Sequence, residues 1–183
     1  MLKLGYLLRN IRKGGMMYQI NDIVVYRRDV CRVVDTEESA ATGEMCYILE
    51  PYNAVSGGRR MLVPVANRGG HLRRLSTSEE IYDLIDRVPS LEMLENKPAN
   101  MKSQYVALLK TDSLEDLIRI IKTSYYRNKE RSDNRKKLAT IDGEYQQKAE
   151  KYLFSEFAVA LGKSYEECKE EFVHLVRNVE SAS

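Results

Sequence analysis

The chain has 183 residues, enough for one large domain or two small ones, and its 29 basic and 27 acidic residues leave a net charge of only +2. That balance by itself predicts no nucleic-acid partner, so the distribution of charge matters more than its sum. Three cysteines (Cys31, Cys46, Cys168) without CxxC spacing and two histidines (His71, His174) speak against a disulfide framework or a metal site, and no apolar run approaches the roughly 20 residues of a membrane span. A reducing, cytoplasmic setting is expected, with no cofactor.

The first sixteen residues, MLKLGYLLRNIRKGGM, are basic and partly apolar but lack the sustained apolar core and cleavage site of a signal peptide. They read as an appendage, with translation expected to begin at Met16 or Met17. From residue 17 to 76 short β-branched runs alternate with Gly, Asn, Asp and Pro, the pattern of a small all-β module. Strands are predicted near Ile23–Tyr26, Cys31–Thr36, Cys46–Tyr52 and Arg60–Val65, with turns at Ser39–Glu44 and Asn53–Gly58. Strands this short are expected to close into a barrel, which limits exposed edges.

Beyond Leu75 the period becomes helical, and residues 77–183 read as an all-α domain of about five helices. Thr77 and Glu80 have capping-box spacing ahead of Ile81, Leu84 and Ile85. Pro89 and Pro98 bracket a connector. Met101, Tyr105, Leu108 and Leu109 mark a second helix, and Ser113 opens a third that carries Leu114, Leu117, Ile118, Ile121 and Tyr125 on one face. After the charged stretch Arg127–Lys137 comes the longest helix, about Asp142–Leu161, burying Tyr145, Ala149, Tyr152, Leu153 and Phe157 and closed by Gly162. Ser164 and Glu167 repeat the capping spacing before a last helix with Phe172, Val173 and Val176.

Charge is concentrated in blocks. Between Tyr52 and Ser78 there is no Asp or Glu, yet Arg59, Arg60, Arg68, Arg73 and Arg74 fall there. From Arg119 to Lys137 eight basic residues meet only Glu130 and Asp133, a local balance of +6, whereas Asp142–Glu171 holds eight carboxylates against four lysines. Four to six exposed cations give a salt-dependent affinity for nucleic acid; the alternative is a solvated helix face.

The order YQINDIVVY, VCRVVDTEE, CYILEPY, MLVPVANRGGHLRRL across Tyr18–Leu75 resembles the RNA-polymerase-interacting domain shared by CarD-like transcription regulators and transcription-repair coupling factors. The later segments ENKPANMKSQY, DSLEDLIRIIKTSYYRNKER and KAEKYLFSEFAVAL resemble the helical part of CarD-like proteins, so nearly everything from Tyr18 to Val176 is covered.

The resemblance implies an α+β protein: a Tudor-like small β-barrel that adds a strand edge to the β subunit of bacterial RNA polymerase, then a helical domain on upstream promoter DNA, with open-complex stability as the regulated quantity. On that reading Arg59, Arg60, Met61, Leu62 and Val63 form the polymerase-facing strand. In the alternative, Met61 and Val63 are core and the arginines shield an edge.

The DNA-facing set is Met101, Lys102, Arg119, Lys122, Arg127, Lys129, Arg131, Arg135, Lys136 and Lys137. Met101 stands where the family carries a Trp used as an apolar wedge in the minor groove, Ser103 and Gln104 replace two arginines, and plain helix core is the alternative for Met101. Two further departures are Asp29, where the family often has Gly, and Asp142 and Glu144 in a segment, Ala139–Gln147, that is normally basic. No nucleophile and base, carboxylate pair or phosphate loop stands at catalytic spacing: SGGRRM lacks GxxxxGK[ST] and His71 reads as a surface loop residue, so no enzymatic role is expected. A protein-interaction adaptor that binds polymerase or another partner without DNA engagement is the second functional reading, and a monomer without membrane association is expected.

Overall fold

The computed structural model describes residues 18–53 and 59–182 and divides into two compact units between Leu75 and Ser76. The N-terminal extension, the start at Met16 or Met17 and the tip of the Asn53–Gly58 turn lie outside the described residues. The fold is α+β: a five-stranded antiparallel sheet followed by five helices. No helix among the described residues is long and apolar enough to cross a membrane.

The strands are β1 (Ile23–Tyr26), β2 (Asp29–Glu38), β3 (Met45–Pro51), β4 (Met61–Pro64) and β5 (Leu72–Arg74), in the order β4-β3-β2-β1-β5. Arg27 and Arg28 both take positive φ in the two-residue β1–β2 turn, the condition a tight hairpin imposes on its central residues. Asp29 itself pairs with Tyr26 inside the ladder, so the absence of glycine there needs no special geometry. One face of the sheet collects Val24, Cys31, Val33, Tyr47, Leu49, Val63 and Leu72 as its core.

The expected closed barrel is not formed. Among the described residues β4 pairs only with β3, and β5 only with β1, so the sheet is open at both ends. The chain reverses between Val65, whose N–H still reaches the Met45 carbonyl on β3, and His71, whose carbonyl already accepts from Arg27 beside β1. Asn67, at positive φ, donates its side-chain amide to the Leu72 carbonyl at 2.6 Å and accepts from the Leu72 N–H at 3.1 Å, steering a three-residue β5 onto β1. That fifth strand has no alternating pattern of its own and is not predicted by periodicity.

In the second unit α1 (Ser78–Asp86) starts from the anticipated capping box: the Glu80 N–H donates to Thr77 Oγ1 at 3.2 Å and the Thr77 N–H to Glu80 Oε2 at 2.9 Å. Two 3-10 turns, Val88–Ser90 and Pro98–Asn100, carry the chain to α2 (Met101–Leu109). Then follow α3 (Leu114–Asp133), α4 (Thr140–Leu161) and α5 (Tyr165–Ala182). Gly162 closes α4 at φ 64°, and Ser164 with Glu167 caps α5 reciprocally.

The helical core gathers Ile81, Met101, Tyr105, Leu117, Ile120, Leu153, Phe154, Phe157 and Phe172. Two expected core residues are displaced from it: Tyr125 is 50% exposed and Val173 37% exposed. On α3 the buried stripe runs through Leu117, Ile120 and Ser124, so Tyr125 has rotated past the core edge.

Candidate functional site

Two places present chemistry to the outside. The first is the outer edge of β4, which among the described residues pairs with β3 alone. The Val65 N–H donates to the Met45 carbonyl at 2.9 Å, in register with the Cys46↔Pro64 pair. Because an antiparallel ladder alternates, the amides of Val63 and Met61 then face β3, while those of Leu62 and Pro64 turn outward. A proline at an outward position costs the sheet no donor. Leu62 is also 49% exposed.

The five residues of the predicted polymerase-facing strand therefore separate. Val63 is buried at 3% exposure and Met61 packs against the same core, so both serve the sheet. Arg60 pairs with Glu50 on β3 at 2.8 Å, with its own side chain 66% exposed, and Arg59 is exposed. Leu62 is the position where an outward backbone and an exposed apolar side chain coincide.

The second place is the basic end of the helical unit. Of the ten predicted DNA-facing residues, Met101 is fully buried, in agreement with the core alternative and out of reach of a groove. Lys122 directs its ammonium at the carbonyls of Val88, Pro89 and Leu91, each at 2.9 Å, closing the first 3-10 turn. Arg119 bonds the Glu92 carbonyl at 3.1 Å and Asp116 at 3.2 Å. Arg127 lies 12% exposed against Asp142, which is wholly buried, with Nε 3.1 Å from Oδ2, and it also bonds Asn96. These three cations are committed inside the fold.

Lys102, Lys129, Arg135, Lys136 and Lys137 are exposed, and among the described residues none of them forms an ion pair. Arg131 is intermediate, half-buried with its Nε on the Lys137 carbonyl at 2.8 Å. A small cleft of about 120 Å³ opens beside this end, lined by Asn96, Pro98, Arg127, Glu130, Arg131, Asn134 and Lys136. Sequence charge alone overstates the cationic surface, because Asp142 lies far from Arg127 in the chain and its burial carries no local signal.

Several other polar groups are tied into the fold. Tyr105 donates to Asp142 at 2.9 Å and accepts from Ser124 at 3.2 Å, and burial pushes its phenol up to about 12. Glu156, buried at 1% exposure, accepts from Ser76 N–H at 3.2 Å and from its hydroxyl at 2.7 Å. All three thiols are buried; burial raises Cys46 and Cys168 and pushes Cys31 up to about 11, the opposite of an activated nucleophile. His71 is exposed on the loop before β5. No protein-family model matches the chain, and a search of curated proteins finds no match.

Proposed function

We propose that the chain is a CarD-like transcription regulator: its sheet docks on the β subunit of bacterial RNA polymerase through the β4 edge, and its helical unit contacts promoter DNA to modulate open-complex stability. The observation that carries the reading is the outward backbone of Leu62 beside its exposed side chain. Strand addition takes its affinity from main-chain hydrogen bonds and its specificity from alternate side chains, and an edge left open among the described residues supplies both. A fully closed sheet would not.

The DNA half draws on five exposed cations, Lys102, Lys129, Arg135, Lys136 and Lys137, rather than the ten candidates in the sequence. Neutralising Z phosphates gives a log–log salt slope of about −0.9Z, so this set supports a slope of at most about −4 to −5. The resemblance suggests a Tudor-like relationship for the sheet, the cytoplasm as its setting and no catalytic step.

The adaptor reading has the chain bind polymerase or another partner without DNA contact. Binding of the full chain to a fork-junction promoter fragment, measured across a salt series with and without polymerase, separates the two. The regulator reading expects a salt slope and polymerase-dependent protection upstream of the bubble. Polymerase binding with neither leaves the adaptor, and no binding to polymerase overturns the regulator and leaves only an adaptor for another partner.

A further inference from the structure

The corner between α3 and α4 turns on a non-glycine residue in the left-handed conformation. The Lys136 N–H donates to the Arg131 carbonyl at 2.7 Å and the Arg135 N–H to the Ser132 carbonyl at 2.8 Å, which is the paired closure of a Schellman helix end. Its pivotal residue must be left-handed, and here that residue is Arg135 at φ 53°. Glycine fills such positions without steric cost. The same chain does so at the end of α4, where Gly162 sits at φ 64° and the Lys163 N–H donates to the Ala158 carbonyl at 3.0 Å. An arginine is thus held where glycine would be less strained.

What Arg135 begins is an exposed run, Arg135-Lys136-Lys137-Leu138, with Leu138 55% exposed. The run is pinned at both sides. Arg131 Nε donates to the Lys137 carbonyl at 2.8 Å, and the Ala139 N–H donates to Asn128 Oδ1 at 3.0 Å. Three cations without an ion pair among the described residues and one exposed leucine therefore occupy a braced turn, and Lys129 is also exposed on α3. Bracing lowers the ordering cost of binding.

The geometry points to this corner as the DNA-contacting tip of the helical unit, with Arg135, Lys136 and Lys137 on phosphates bordering a minor groove and Leu138 set against the base step between them. The inference rests on the DNA half of the proposed function and names the place where it acts. Apolar side chains, leucine among them, insert between base steps from the minor groove. An anionic bilayer is the less fitting occupant, because a lone leucine buries too little apolar area to anchor a protein there.

The full-length protein and its Arg135→Gly and Leu138→Ala variants test the assignment by anisotropy on two labelled duplexes, one fully paired and one with a central mismatch, over a salt series. Vesicles of phosphatidylserine and phosphatidylcholine form a parallel arm, and melting temperature and polymerase binding are recorded for each variant. Arg135→Gly is expected to melt no lower than the parent while its salt slope falls by about one. Leu138→Ala is expected to keep the slope and to lose about 3- to 10-fold of the preference for the mismatched duplex.

If the parent binds DNA with a salt slope and both variants match it, the corner is not the contact and the DNA reading stands without it. If the parent shows no salt-dependent binding to either duplex, the DNA reading fails and takes this assignment with it. Vesicle binding that both variants lose, with DNA binding unchanged, overturns the assignment in favour of a lipid surface.

Discussion

Asp142 on α4 holds Arg127 on α3 inside the helical unit at 3.1 Å, the aspartate side chain wholly buried and the arginine side chain 12% exposed. The pair turns a residue of the basic stretch into an internal strut. Removing one partner of a buried ion pair leaves the other charge uncompensated, which costs about 3–5 kcal/mol. Arg127→Met is therefore expected to lower unfolding free energy by about 3 kcal/mol in urea titrations. DNA affinity of the folded fraction, and its salt slope, should match the parent. A reduced slope in the folded variant would return Arg127 to the DNA-facing set.

The same network makes the helical unit sensitive to alkali. Tyr105 donates to Asp142, and burial, reinforced by that hydrogen bond, raises its phenol from 10.0 to about 12. The folded protein thus keeps a proton that the unfolded chain gives up. Stability from this phenol is complete below pH 10 and is lost as the pH climbs toward 12, at about 1.4 kcal/mol per pH unit. Tyr105→Phe has no phenol to ionise, so its stability is expected to fall less steeply over that interval in denaturant titrations at fixed ionic strength. Parallel curves for the two proteins would place the alkaline loss elsewhere.

Met101 offers a direct comparison between core and groove. It is fully buried in the core that includes Tyr105 and Leu117. Met101→Ala leaves a cavity and is expected to destabilise by about 2–5 kcal/mol, while Met101→Trp overpacks the site and also destabilises. Neither variant should alter open-complex lifetime at temperatures where it stays folded. A longer lifetime for Met101→Trp, measured by competitor challenge, would show that the side chain leaves the core when DNA binds.

The legible parts of the fold are those written in short-range pattern. Thr77 with Glu80 and Ser164 with Glu167 announce helix starts at three-residue spacing, Gly162 marks a helix end, and the run Ile23–Tyr26 is a strand by composition alone. What was not legible depends on distant partners. β5 exists because the Asn67 side chain brackets Leu72, and the open sheet follows from that steering, not from any missing strand pattern. Arg127 and Lys122 look like surface charge until Asp142 and the 88–91 carbonyls are brought to them. The buried Asp142, Glu150 and Glu156 on α4 break the rule that carboxylates face water, each satisfied by a partner contributed from outside its own helical turn or one turn away.

The edge of β4 gives the sharpest test of the polymerase reading, because adjacent residues have opposite roles. Leu62 turns its N–H outward, at the same kind of position where Pro64, which has no N–H, stands two residues later, while the Val63 N–H faces Tyr47 on β3. Leu62→Pro removes a donor from the free edge and leaves the β3–β4 ladder its own bonds; Val63→Pro breaks that ladder and the core beneath it. The expected result is a Leu62→Pro protein that melts within a few degrees of the parent yet binds the polymerase β subunit at least tenfold more weakly. Val63→Pro should lose melting temperature and binding together. Calorimetry with surface-immobilised polymerase reads both quantities, and undiminished binding by Leu62→Pro would move the docking surface away from β4 altogether.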